Sequence, residues 1–105
     1  MSVEQTGGAR IGRGFWWSVN WTWPFVTLAA DESALTLRTP PRTYRLARAN
    51  IQAVELIGPA WAPPGFHGVV FRHNDATVPP YVLFWSFDRP TLTEGLKVAG
   101  YPIAQ

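Results

Sequence analysis

Apolar and polar residues alternate in short runs along much of this chain, and a period of two marks strands. Leu35 and Leu37 alternate with Thr36 and Arg38 over residues 34–39, and Tyr44 and Leu46 alternate with Thr43 and Arg45 over residues 43–46. Each run predicts one dry face and one wet face. Upstream, residues 13–18 are the expected first strand and residues 19–24 a turn or strand end. Residues 25–30 return as the second strand, with Pro24 at its start, where a missing N–H is tolerated. Asp31-Glu32-Ser33 and Pro40-Pro41 supply the turns of a four-stranded antiparallel meander. A helical turn or loop over residues 47–50 leads to a fifth strand, 51–57, with Ile51, Val54 and Leu56 inward and a change of phase after Ile51. Residues 68–72 form the sixth, followed by the turn signal Asn74-Asp75 and by Pro79-Pro80.

The seventh segment breaks the alternation. Residues 81–87 are apolar on both parities, Tyr81, Leu83, Trp85 and Phe87 against Val82 and Phe84, which predicts a central strand buried on most of its surface. The period then changes to that of a helix. Asp88 is placed as N-cap and Pro90 stands in the first turn, where its missing N–H costs nothing. Leu92, Gly95, Leu96 and Ala99 share one face, Gly95 lets the axis approach what it covers, and Gly100 ends the helix in a left-handed cap. The capping helix spans residues 89–99.

Composition sharpens this picture. The chain has 105 residues, enough for a single domain over 1–105, and its six Trp, six Phe and three Tyr supply a bulky core. Ten Pro and nine Gly imply many turns and little helix, so the fold is expected to be mainly β. With no Cys there are neither disulfides nor thiolate metal sites, and the expected compartment is cytoplasmic. A formal charge of +2 is too mild to indicate nucleic acid. The first residues are polar and contain Glu4, unlike a signal peptide, and residues 1–12 are expected to form an N-terminal arm. Residues 14–30 carry no charge, but Ser18, Asn20, Thr22 and Pro24 interrupt them and their apolar content is largely Trp, an interface residue, which argues against a membrane span.

Seven strands grouped four then three, closed by one helix, resemble the pleckstrin-homology-like (PH-like) superfold. Further details resemble the small stand-alone PH-like domains of bacteria: Trp-Pro-Phe-Val-Thr-Leu at residues 23–28, Asn50-Ile51 with Val54, Gly-Val-Val-Phe-Arg-His at 68–73, and Tyr-Val-Leu-Phe-Trp at 81–85 before a helix ending in Ala-Gly-Tyr-Pro. The resemblance covers about residues 14–103. It implies a seven-stranded antiparallel sandwich or barrel capped by the C-terminal helix, and a binding or interaction module. Phosphoinositide-binding members carry Lys or Arg around the first turn. Here residues 14–30 are uncharged and only Arg10 and Arg13 precede them, so a headgroup site of that kind is not expected.

The candidate chemistry is sparse. His67 and His73, six residues apart on one strand, would lie roughly 20 Å from one another and cannot share a metal. Asp75 beside His73 is a turn signal before it is half of a dyad. No nucleophile elbow or phosphate loop is present, so neither enzymatic activity, a cofactor nor a metal is expected. Arg38, Arg42 and Arg45, with Arg48, surround one turn. They are either a solvated edge that discourages pairing between molecules or a surface for an acidic partner. Trp16, Trp17, Trp21 and Trp23 exceed what one face of a strand can bury. The loop 58–66 holds Trp61 between Pro59 and Pro63-Pro64 and ends in Phe66, so Trp61 either anchors a contact or folds back over the end of the sandwich. These residues suggest a noncatalytic module that binds protein, its own copy included. The alternative is a membrane surface met through exposed Trp. Single-stranded nucleic acid would need a basic groove that the sequence does not show.

Overall fold

The structure is a computed structural model that describes residues 2–14, 16–59, 61–62 and 66–104. Its strands are β1 (Val3–Gly12), β2 (Ser18–Ala30), β3 (Ala34–Arg38), β4 (Thr43–Ala47), β5 (Ile51–Ile57), β6 (Gly68–His73), β7 (Tyr81–Trp85) and β8 (Ile103–Ala104). A 3-10 turn, Arg48–Asn50, precedes β5, and the helix α1 (Arg89–Val98) follows β7. All eight strands belong to one sheet in the order β4-β3-β2-β1-β7-β6-β5-β8. The fold is therefore mainly β with one helix near the C-terminus.

Three features depart from the sequence reading. The stretch expected to be an arm is instead β1, ten residues long and central, while residues 13, 14, 16 and 17 lie in the connection that follows it. The reason is that Val3, Ala9 and Ile11 point into the core while β1 gains hydrogen-bonded neighbours on both sides, so pairing overrides a polar, glycine-containing sequence. Second, the strands among the described residues number eight and form one sheet that does not close and is mixed, since β8 runs parallel to β5 through Val54 and Glu55. Two residues after the helix are enough to make that contact. Third, β7 ends at Trp85, leaving Phe87 outside the sheet.

The main core collects the inward residues of β1 to β7 under α1. Val26, Leu28, Leu35, Leu37, Leu46, Val54, Val69, Phe71, Val82 and Phe84 are buried there with Leu92, Leu96 and Ala99 of the helix face. Asp88 caps α1 by accepting a hydrogen bond from the Thr91 amide at 3.2 Å. At the other end the Tyr101 amide donates to the Leu96 carbonyl and the Gly100 amide to Lys97, a Schellman closure with Gly100 at φ 94°. Gly95 lies against β1. A Cβ there would stand 2.7 Å from Val3 Cβ, so its absence sets how closely helix and strand approach.

β7 is apolar on both parities because each side of it is covered. Val82 and Phe84 join the main core, whereas Leu83 and Trp85 pack on the opposite face with Val70, flanked by Ile57 and Tyr81. On β5 the expected phase change is present as a register shift between Ile51 and Ala53. Leu56, expected inward, is 42% exposed. No helix among the described residues is long and apolar enough to cross a membrane.

Candidate functional site

β2 has thirteen residues and neighbours that do not match its length. β3 pairs only with Thr27–Ala30, by four register partners from Thr27↔Arg38 to Ala30↔Leu35. On the other side Gly7 faces Val26, but Ala9 faces Trp21, so Thr22, Trp23, Pro24 and Phe25 stand opposite Gly8 alone. This bulge pushes four residues out of the ladder. Trp23, joined to Pro24 by a cis peptide, is 49% exposed and Phe25 is 62% exposed.

The bulge rests on an aromatic stack. The Trp23 ring meets Phe87 edge-on at 5.8 Å, and Phe87 meets Trp85 at 5.6 Å. Trp85 is the fixed member: it is buried, with its indole across the position where a Gly8 Cβ would sit, and its Nε1 donor has no hydrogen-bond partner. The segment between Phe87 and β1 is held by side chains, Ser86 Oγ donating to Gln5 Oε1 at 2.5 Å and Gln5 Nε2 to the Asp88 carbonyl at 3.1 Å. A cleft of about 230 Å3 lies there, lined by Gln5, Thr6, Trp23, Ser86, Phe87 and Asp88.

At the far end of the same hairpin the turn is closed by Arg13 N–H donating to the Trp17 carbonyl at 2.9 Å and Trp17 N–H to Gly14 at 3.1 Å. Trp16 and Trp17 project from it almost fully exposed, and Val19 is open beside them. Of the four tryptophans in this region only Trp21 packs against the main core. The first hairpin thus carries a run of exposed aromatic side chains from its tip to its bulge, continued by Phe87.

The residues singled out from sequence fall in two separate places. Trp61 is exposed in the β5–β6 connection, where Ala62 N–H donates to the Pro59 carbonyl at 3.0 Å and Arg89 Nη1 holds the start of the connection through the carbonyls of Ile57 and Gly58. Phe66 is half-exposed with the Arg10 guanidinium 5.5 Å over its ring. Pro63 and Pro64 lie outside the described residues. Arg38, Arg42 and Arg45 are on β3, the following turn and β4, separated from the β5–β6 pair in the sheet by β2, β1 and β7. All three are exposed, with Arg42 5.9 Å over the Tyr44 ring. Arg48 leaves that group: its Nε donates to the Glu32 carbonyl at 2.5 Å and its Nη1 to Gly100 at 3.2 Å, which braces a turn to the end of α1.

The Arg45 face is not purely basic. Register places Arg45, Thr36, Ala29 and Glu4 in one row across β4, β3, β2 and β1, and Glu4, Asp31, Thr36 and Arg45 line a cavity of about 320 Å3. Asp31 accepts from Ser33 Oγ and from the Ser33 and Ala34 amides, and these bonds, the Ser33 hydroxyl first, hold its carboxyl below the usual range.

His73 serves the fold. The Asp75 amide donates to its Nδ1 at 3.1 Å, so Nε2 carries the proton and donates to the Pro79 carbonyl at 2.9 Å. Asp75 turns away to Thr77, whose hydroxyl and amide lower its pKa, so the two side chains form no dyad. Among the described residues no group of three His, Asp or Glu could hold a metal. Sequence reasoning missed Phe25 and Phe87 as surface residues. The available signal was the uncharged stretch 14–30 with Trp on both parities, more aromatic area than one buried face accepts. Comparison with protein-family models, curated proteins and solved structures finds no match to the chain.

Proposed function

We propose that this chain is a noncatalytic PH-like module whose working surface, the aromatic face of the first hairpin, binds another protein. Support for the PH-like reading comes from the connectivity: β1 to β4 form one meander, β5 to β7 a second, β1 joins β7, and the helix follows β7. The observation that carries the binding reading is the exposure of Trp16, Trp17, Trp23, Phe25 and Phe87 together. Exposed aromatic groups on a rigid support lose little entropy on contact and dominate interface energies. Trp61 and Phe66 extend this reading to the β5–β6 connection. Arg38, Arg42 and Arg45 guard the edge of β4 by charge.

A membrane surface is the second reading, favoured by one observation: Trp16 and Trp17 sit at a hairpin tip beside Arg13, and Arg10 and Arg13 are the only charged residues between Glu4 and Asp31. Sedimentation with neutral, anionic and phosphoinositide-containing vesicles separates the two. The protein reading expects the chain to stay in the supernatant with all three. Pelleting with anionic vesicles that Trp16→Ser/Trp17→Ser abolishes would replace it.

A further inference from the structure

Charges of opposite sign face one another across an uncharged floor on the outer side of the sheet. The row Glu4, Ala29, Thr36, Arg45 crosses β1, β2, β3 and β4, so a carboxylate and a guanidinium stand at its two ends with small side chains between them. At about 4.8 Å per strand the end backbones are roughly 14 Å apart. Asp31, just past the end of β2, lines the same cavity of about 320 Å3 as Glu4, Thr36 and Arg45. That space is on the order of ten times the roughly 30 Å3 occupied by one water molecule, room for a small organic ligand.

These groups keep their capacity for a ligand. Among the described residues Glu4 and Arg45 make no hydrogen bond or ion pair, and the Thr36 hydroxyl is unbonded. Asp31 takes its bonds from the Ser33 hydroxyl and the Ser33 and Ala34 amides through Oδ1 alone, which leaves Oδ2 open. The Ser33 hydroxyl is the first cause of its lowered pKa, and the charge of Arg45 is a further one, so the guanidinium stands within electrostatic reach of the acid. Protection of a strand edge explains an arginine on β4. It does not call for two carboxylates set across alanine and threonine from it.

We propose that this cavity binds a small zwitterion of the amino-acid type, its ammonium held by Glu4 and Asp31 and its carboxylate by Arg45 with the Thr36 hydroxyl. A guanidinium matches a carboxylate in planar, two-point geometry, and the three donors of an ammonium are served by two carboxylates. A simple anion would meet Glu4 and Asp31 as like charges, and a simple cation would meet Arg45. The pattern therefore selects a ligand that carries both signs. Spacing selects further, because a ligand that spans Ala29 and Thr36 needs its charges several ångströms apart, which fits an ω-amino acid better than glycine. The cavity shares no lining residue with the cleft at Trp23 and Phe87, so this site goes beyond the hairpin reading and is independent of it.

The test is a nuclear magnetic resonance titration of the backbone amides with glycine, β-alanine, γ-aminobutyrate and ε-aminocaproate, using butyrate and butylamine as controls with one charge each. Saturable shifts around residues 4, 29, 36 and 45 are expected for the longer zwitterions, with a Kd in the millimolar range that rises with added salt. Both controls should bind at least about tenfold more weakly. Glu4 and Arg45 are exposed, so Glu4→Gln and Arg45→Gln should melt as the wild type does while each raises the Kd by about fivefold or more. Arg38→Gln, on the same face of β3 but outside the cavity lining, should leave it unchanged. Absence of a saturable shift up to about 100 mM overturns the site. Butyrate binding as tightly as γ-aminobutyrate, glycine binding as tightly as ε-aminocaproate, or an Arg38→Gln effect equal to that of Arg45→Gln would each overturn the assignment of a spanning zwitterion.

Discussion

The two halves of β2 are both uncharged and have opposite fates. Residues 27–30 lie between β1 and β3, Val26 pairs with β1 beside them, and Val26, Leu28 and Ala30 are buried to 3% exposure or less. Residues 18–25 are richer in large apolar groups, yet only Trp21 reaches the main core. What differs is the number of neighbours. The inner half is a strand of a sheet with the core beneath it, and the outer half is a hairpin arm with one partner and a bulge. Hydrophobicity that would read as core in one context is available for contact in the other.

The largest expected effects lie in the buried half and the helix that covers it. Leu28→Ala should cost roughly 2–5 kcal/mol by removing fully buried methyl groups and leaving a cavity. Leu96→Asp should abolish cooperative melting, since it forces a carboxylate under α1 in a domain whose net stability is about 5–15 kcal/mol. Phe25→Ala, a bigger truncation in the outer half, should move stability by no more than about 0.5 kcal/mol. If chemical denaturation gives Phe25→Ala a loss comparable to Leu28→Ala, the outer half is packed in solution and the contrast fails.

The hinge between the halves is the next place to press. A Cβ on Gly8 would come within 2.4 Å of the Trp21 carbonyl and 2.5 Å of the Trp85 ring, both on elements that cannot withdraw easily. Gly8→Val should therefore cost roughly 1–3 kcal/mol, the range for overpacking, and should change the near-ultraviolet circular dichroism of the Trp23, Phe87 and Trp85 stack. An unaltered spectrum and melting temperature would mean that the bulge is not seated on Trp85.

Much of the fold was legible because most strands follow one rule. β3 and β4 alternate, β7 is apolar on both sides, and α1 carries its own cap, its own apolar face and its own stop signal, so local sequence and tertiary context agree there, whereas on β5 the phase change was read but Leu56 was placed on the wrong face. β1 was illegible for the converse reason. Val-Glu-Gln-Thr-Gly-Gly-Ala-Arg-Ile-Gly has three buried apolar side chains and a glycine pair, and its position in the centre of the sheet comes from partners distant in sequence. Misplacing β1 displaced the first turn, which hid the hairpin tip. At the candidate site, the excess of Trp in residues 14–30 was visible, but the bulge depends on a register that β1 imposes. Trp61, with two open readings from sequence, is exposed in the structure.

The smallest effect concerns the turn that ends the buried half of β2. Asp31 is solvent-exposed, and its carboxyl is held below the ordinary 3.8 first by the Ser33 hydroxyl and then by the Ala34 and Ser33 amides. A folded-state pKa below the unfolded value means that the unfolded chain binds the proton more readily, so the turn's contribution is complete above 3.8 and is lost as pH falls through the lower folded value. Asp31→Ala should therefore melt below wild type at neutral pH, with the gap narrowing under acid. At the alkaline end, burial raises Tyr101 to about 12 while its hydroxyl donates to the Asp31 carbonyl at 2.8 Å. That contribution is present below 10 and lost as pH rises through about 12, so Tyr101→Phe should lose the alkaline limb that Asp31→Ala retains. Melting curves of the three proteins across the pH range test both signs. A gap between wild type and Asp31→Ala that stays constant down to about pH 2 would show that the carboxylate does not close the turn, and with it would go the distinction between a tied inner end and a free outer end of β2.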